Sequence, residues 1–201
     1  MTSEPKGFHN QYFIVNSVNM CKNYYTLYNN ERINHTNLVK GENMRRKDRE
    51  ITDFNEIVEI IKKCDACRLA FNDGDYPYIV PLNFGLNVVD DKQVELYFHC
   101  ASEGTKLDLI RKDNRATFEM DCNHNFILYE ERMSCTMGYE SVIGHGTIEF
   151  IDDEHKFEAL KIIMNQYHAE DFKFNTAMMK VTTVFKLVVS DMTGKRRNNI
   201  H

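Results

Sequence analysis

The stretch Gln93–Ile110, QVELYFHCASEGTKLDLI, decides how the chain folds. Its first part alternates. Val94, Leu96 and Phe98 fall on one face, and Glu95, Tyr97 and His99 on the other, the two-residue period of a half-buried strand. After Gly104 the pattern becomes that of a short helix, TKLDLIRKD. The apolar face predicts the interior of a small barrel, and the face with the imidazole, phenol and carboxylate predicts its outside. Gly104 permits close approach of backbone to a ligand, and the helix behind it presents free N–H groups at its positive end. Lys106, a cation in the first turn, is unfavourable for the helix alone. It makes sense if an anion, most simply a phosphate, sits on the turn. The bland alternative is a solvated surface lysine and an edge histidine satisfied by its neighbours; spacing alone leaves both open.

Outward from this stretch the same grammar repeats. Upstream, TDFNEIVEIIKKC opens with Asp53 and carries Glu56 three residues on, as in a capping box. Phe54, Ile57, Val58 and Ile61 follow helical spacing. ACRLAF reads as a strand, NDGD as a hairpin turn, and YPYIVPLNFGLN as a second strand. Pro77 and Pro81 cannot donate to a ladder, which predicts an edge position or the side of a ligand. Downstream, RATFEMDC and MGYESVIGHGTIEFI read as strands, the latter broken by Gly144 and Gly146. DDEHKFEALKIIMNQYH reads as a helix with Phe157, Leu160, Met164 and Tyr167 on one face, and VTTVFKLVVS as the last strand. Short antiparallel strands joined by hairpins, with helices at the margins, predict a mainly β fold, a small barrel with peripheral helices.

At 201 residues the chain supports one well-buried core or two small domains. Residues 1–43 hold nine asparagines and no clear apolar period, so a poorly ordered extension is expected there, with the folded domain spanning 44–201. A net charge of −5 argues against non-specific nucleic-acid binding. No apolar run approaches a membrane span and no signal-peptide core is visible, so a cytoplasmic protein with six reduced cysteines is expected.

Other constellations carry less. Cys64 and Cys67 have redox-motif spacing but sit where a helix gives way to a hairpin strand, so two structural thiols are expected. His145, His155 and His168 form no ligand set, and no metal site is expected. Gly144–Gly146 is too short for a dinucleotide fingerprint. Cys100 and His99 are adjacent on a strand and point to opposite faces, which argues against a dyad. Gly194–Arg197, GKRR, is either a solvated tail or a cluster in which Lys195 and Arg196 face a phosphate; the sequence leaves both open.

The segments MRRKDREITD, CRLAFNDGDYPYIVPLNF, YFHCASEGTKLDLI, CTMGYESVIGHG and VSDMTGKRR occur in one order. Together they resemble the nitroimidazole-resistance (Nim) family within the pyridoxamine 5′-phosphate oxidase-like flavoproteins, over Met44 to about Arg197. The resemblance implies an antiparallel split β-barrel that forms a homodimer with FMN at the interface. It implies that Val80, Pro81, Leu82 and Asn83 line the flavin ring and that His99, Cys100 and Ala101 run beside the ring and ribityl chain. Gly104 and Lys106 would hold the phosphate. Tyr139, Ser141 and Val142 would complete the pocket from the other subunit. His99 would be the active-site residue, and the activity FMN-dependent reduction of a small electron acceptor such as a 5-nitroimidazole. Gly138, Glu140 and His145 stand where bulkier or basic residues are common in the family. Glu140 would repel the phosphate if it pointed inward, but alternation turns it away from Tyr139 and Ser141. The alternatives are a pyridoxamine-phosphate oxidase proper, which needs more basic residues than GKRR supplies, and a non-catalytic flavin- or haem-binding protein with His99 as axial ligand.

Overall fold

The computed structural model describes residues 45–90, 92–168 and 172–197. The extension expected over 1–43, and its boundary at Met44, lie outside the described residues.

Eight strands form a single antiparallel sheet. They are β1 (Glu50–Ile51), β2 (Cys67–Asp73), β3 (Tyr76–Leu82), β4 (Gly85–Val89), β5 (Gln93–Ala101), β6 (Arg115–Tyr129), β7 (Ser134–Phe150) and β8 (Thr182–Arg197). Among the described residues four α-helices accompany them: α1 (Phe54–Lys63), α2 (Thr105–Lys112), α3 (Lys156–Tyr167) and α4 (Thr176–Lys180). The strand order is β3-β2-β6-β7-β8-β5-β4, with β1 added to β8. The two ends of that path, β3 and β4, are joined only through Asn83 and Phe84, so the sheet must curl until its edges nearly meet. Curling encloses the core, where Phe84, Phe98, Phe118 and Phe185 are fully buried and Phe98 stacks on Phe185 at 5.3 Å. Burial of each such side chain contributes about 1.5–3 kcal/mol.

Several local signals act as read. Asp53 caps α1, its carboxylate accepting from the Glu56 N–H at 2.9 Å, and Ile57, Val58 and Ile61 are buried beneath it. Asp73 pairs with Tyr76 across a Gly74–Asp75 turn, with Gly74 at φ +69°. Pro77 and Pro81 lie on β3, an edge strand that pairs with β2 alone. Val94, Leu96 and Phe98 fill the core as their alternation requires.

Four expectations change. YPYIVPLNFGLN is two strands, because the chain leaves the ladder at Asn83 and Phe84 to pass from one edge of the sheet to the other. The strands expected at RATFEMDC and MGYESVIGHGTIEFI extend into one long hairpin, paired out to Tyr129 and Ser134 beyond a bulge between Cys122 and Asn125. The buried face of α3 is Lys156, Ala159, Leu160 and Ile163, while Phe157 and Tyr167 are exposed; the helix is rotated by about one residue from the face expected. That rotation lays α3 over the outer side of β5, so Tyr97 is buried against Ala159, Leu160, Ile163 and Val184 rather than open to water. Finally, the last strand runs through GKRR, which is therefore no tail: Lys195 pairs with Ser141 and Arg196 with Glu140 on β7.

Gly85 makes the seating of α3 possible. A Cβ at this position would lie 2.5 Å from the Ile163 nitrogen and 2.6 Å from the Ile162 carbonyl carbon and oxygen. These are backbone atoms that cannot rotate away. We expect Gly85→Ala to cost about 1–3 kcal/mol or more through forced displacement of α3, measured as a lower midpoint in denaturant unfolding. A midpoint equal to that of the parent protein would show that α3 is free to slide.

Candidate functional site

β5 enters the site from the core. Phe98 anchors it inside, Tyr97 fixes it under α3, and its register with Thr183 and Val184 on β8 sets the positions of Cys100 and His99. Beneath His99 on the same face, Glu95 accepts from Lys186 at 2.6 Å, Asn87 at 3.0 Å and Tyr97 at 2.9 Å. Burial opposes ionisation of Glu95, but these donors outweigh it and hold its pKa below the ordinary value. Burial and the Glu95 carboxylate push the Tyr97 phenol up to about 12, so it stays neutral as a donor. This polar ladder ties the outer face of β5 to β4 and β8 below His99, which is itself exposed.

At the end of the strand the chain turns through Gly104, whose φ of 128° and ψ of 162° are essentially a glycine-only conformation. Gly104 is the N-cap of α2 and offers no side-chain cap, while its carbonyl accepts from Leu107 and Asp108. The N–H groups of Thr105 and Lys106 are thus left for another acceptor. Lys106 has no carboxylate within ion-pair distance among the described residues. It lies close enough to act on both strand-end residues. Burial, and then the Lys106 charge, lower the pKa of His99, whereas burial raises that of Cys100 against the opposing pull of Lys106. The imidazole is therefore neutral at pH 7.

The other proposed flavin-facing residues divide into two groups. Val80, Pro81 and Leu82 pair with Leu69, Arg68 and Cys67 on β2, while Asn83 and Phe84 leave the ladder and lead to Gly85, which pairs with Tyr97 on β5. Val80 and Leu82 pack on the core from the edge strand, Pro81 is exposed, and the Asn83 amide donates to the Asp65 carbonyl at 3.2 Å. Tyr139, Ser141 and Val142 are elsewhere. His99 pairs with Val184 and Ser141 with Lys195, eleven residues further along β8 (184 to 195), which is about 35 Å of extended strand. The Val142 side chain is in the core.

Glu140 is accounted for within its own chain. It is 5% exposed and accepts from Arg196 at 2.5 Å and Lys63 at 3.0 Å, with Asn123 as a third donor. Burial opposes its ionisation, but these partners hold its pKa below the ordinary value. Arg196 also binds Glu56 at 2.9 Å, so its guanidinium is occupied by two carboxylates. Cys64 and Cys67 are buried free thiols whose pKa values burial raises, as structural cysteines require. His155 and His168 are exposed and flank α3 at its two ends.

One part of the site is absent from the sequence reading. A cavity of about 380 Å³ opens on the outer side of His99, walled by α3, the segment 172–175 and α4. The sequence signal for it was Asn175, which caps α4 by accepting from the Ala177 and Met178 N–H groups and so marks a helix after FKF.

The family model for pyridoxamine 5′-phosphate oxidase matches residues 53–196, nearly the whole of the sheet and all four helices. The chain belongs to this family. The split-barrel fold recurs in solved structures. A candidate 5-nitroimidazole antibiotic resistance protein from Bacteroides thetaiotaomicron is 34% identical, with 73% of this chain and 86% of that one covered at a TM-score of 0.64. An FAD- and haem-binding protein from Mycobacterium smegmatis shares the fold at 17% identity and a TM-score of 0.65, covering 75% of this chain and 74% of that chain. A flavocytochrome from Azotobacter vinelandii does so at 15% identity and 0.64, covering 78% and 73%. No curated protein matches the chain. No helix among the described residues is long and apolar enough to cross a membrane.

Proposed function

We propose that the protein is an FMN-dependent oxidoreductase of the Nim type that reduces small nitroaromatic acceptors, with a homodimer as the working unit. The observation that carries this reading is the turn at Gly104. It presents two uncapped N–H groups, the cation of Lys106 and the imidazole of His99 at one barrel end, a donor set suited to one phosphate beside a ring. The 34% identity to the Bacteroides protein supports the substrate class. When bound, FMN would supply the electrons. The chain's own residues bind and orient: Gly104 and Lys106 hold the phosphate, residues 80–83 and 99–101 flank the ring, and His99 offers a neutral N–H toward the acceptor. Occupation of Arg196 by Glu140 and Glu56 leaves little cationic surplus for a second phosphate. That favours the Nim reading over a pyridoxamine-phosphate oxidase proper.

The protein as purified is expected to be yellow and to release FMN on denaturation. Release of FAD, a haem Soret band, or failure to take up FMN on reconstitution would each reject the reading. Lys106→Ala is expected to weaken FMN binding by about 1–3 kcal/mol, read by fluorescence titration; unchanged affinity would make Lys106 an ordinary surface lysine.

Two features support the dimer. The eleven residues of β8 between the partners of His99 and Ser141 favour a reading in which Tyr139 and Ser141 serve the flavin site of a second chain. The β6–β7 hairpin also exposes Phe126 (62%), Leu128, Met133 (95%) and Met137 along one arm, an apolar surface suited to burial against a like surface. Sedimentation velocity is expected to give twice the chain mass for the flavin-loaded protein. A monomer that keeps FMN tightly would exclude a shared site.

A further inference from the structure

The cavity outside His99 has an apolar body and a charged mouth. Leu160, Ile163 and Met164 wall it from α3, Phe174 from the segment that follows, and Met178 and Met179 from α4. Leu160 and Ile163 are buried, whereas Lys173 and Asn175 line the same space but are exposed, and so stand at its opening. Lys173 is the one lysine or arginine among the described lining residues, and no aspartate or glutamate is among them. A cation without an opposite charge beside it, set over an apolar space, selects an anion with an apolar body. Asn175 adds to this preference. Its side-chain oxygen accepts from the Ala177 and Met178 N–H groups, which leaves its amide N–H groups as donors two residues from Lys173. A phosphate or a dianion would need more donors than one ammonium and one amide supply. A bare inorganic ion would leave the apolar walls without a partner. At about 380 Å³, with each atom taking about the 30 Å³ share of a water, the space admits about a dozen heavy atoms. The methionines and the aliphatic pair adapt to a flexible chain rather than demand one shape.

We propose that this cavity binds a small amphipathic monocarboxylate, of which medium-chain fatty acids are the simplest members, with the carboxylate on Lys173 and Asn175 and the chain between α3 and α4. The carboxylate stays at the exposed mouth and keeps part of its hydration, so the site avoids the cost of burying a charge. The apolar tail leaves water for Leu160, Ile163 and the methionines, and this burial supplies most of the affinity. The inference does not use the flavin reading: it needs only the cavity, its lining and the charge at its rim.

The test is calorimetry on the full chain, as purified and saturated with FMN. The probes are hexanoate, octanoate, decanoate and dodecanoate, with octanamide and octylammonium as neutral and cationic counterparts of octanoate. Affinity is expected to rise by up to ~4-fold per added methylene from hexanoate, the factor that about 0.8 kcal/mol per buried methylene gives, and to level off past decanoate as the space fills. Octanoate is expected to bind ~5-fold tighter than octanamide, the factor for about 1 kcal/mol from one partly exposed ion pair, and octylammonium to bind weakest. Lys173 and Met178 are exposed, so their variants are expected to fold. Lys173→Gln should erase the difference between octanoate and octanamide, and Lys173→Arg should keep it. Met178→Asp sets a carboxylate at the rim and should weaken octanoate by ~5-fold more than octanamide. Octanamide binding as tightly as octanoate would overturn the proposal, as would an intact preference in a folded Lys173→Gln. A rise that continues undiminished through dodecanoate would place the chain on an open surface instead of in this cavity, and would overturn it too. Loss of octanoate binding on saturation with FMN would do the same, because the cavity would then belong to the flavin.

Discussion

Replacing His99 with alanine should slow reduction of a nitroaromatic acceptor by about 10²–10⁴-fold while leaving FMN retention nearly unchanged. The expectation follows from how the residue is held. Its strand is clamped between β4 and β8, with Phe98 in the core, Tyr97 under α3 and the Glu95 ladder beneath. The backbone at His99 is therefore held, and its side chain is exposed at the strand end. Among the described residues no side chain or carbonyl accepts its N–H, so the donor is available to a guest. Burial first, and the Lys106 charge second, keep the ring neutral, and a neutral imidazole carries one N–H. The measurement is anaerobic: the flavin is reduced chemically, mixed with a 5-nitroimidazole, and its reoxidation followed in parent, His99→Ala and His99→Gln. Glutamine keeps an N–H donor and should recover part of the rate. Equal rates in all three proteins would remove His99 from the mechanism. No reoxidation in the parent protein would remove nitro reduction itself and leave a flavin carrier.

Glu140→Ala is expected to cost about 3–5 kcal/mol of folding stability, the range for breaking one side of a buried ion pair, with the lower end favoured because Lys63 can return to water. Arg196 would keep only Glu56, and Asn123 would lose its acceptor. The pH dependence has a definite sign. The folded pKa of Glu140 lies below the ordinary 4.5, so the unfolded chain takes up the proton first as pH falls. Its stabilising contribution is complete above that ordinary value and is lost as pH drops through the folded one. Urea unfolding at neutral pH and near pH 3 should therefore show the gap between parent and Glu140→Ala narrowing in acid. A gap that stays constant, or a variant as stable as the parent at neutral pH, would mean that Lys63 and Arg196 are solvated independently of Glu140.

How much of this was legible beforehand varied with the range of the interactions. Asp53, the Gly74–Asp75 turn and the alternation of Val94, Leu96 and Phe98 act over a few residues, and all behave as read. The break at Asn83–Phe84 depends on where the sheet's two edges lie, which no local pattern encodes. The face of α3 was misread by a residue because Phe157 and Tyr167 are apolar yet exposed, while the stem of Lys156 is buried beside them. The flavin-flanking group at 80–83, 99–101, Gly104 and Lys106 came from motif order. Residues 80–82 lie on the β3 edge and 99–101 on β5, so no pattern local to either segment links them. The cavity wall from Phe172 to Met179 lies outside every quoted motif, and only tertiary packing sets it against His99.

β8 joins β7 to β5 and also carries β1, so without it the sheet falls into two separate pieces, β3-β2-β6-β7 and β5-β4. Those pieces have no common partner until residues 182–197 exist, and Phe98 lacks Phe185 to stack on. Synthesis runs from the N-terminus, so the growing chain must carry most of its hydrophobic interior uncovered until its final strand leaves the ribosome. A topology this dependent on distant pairing folds slowly and late, and such chains rely on being shielded while they wait. With a C-terminal spacer long enough to fill the exit tunnel, protease resistance of stalled nascent chains should appear abruptly once Arg197 emerges; a gradual rise from earlier stalling points would mean that the two pieces fold independently.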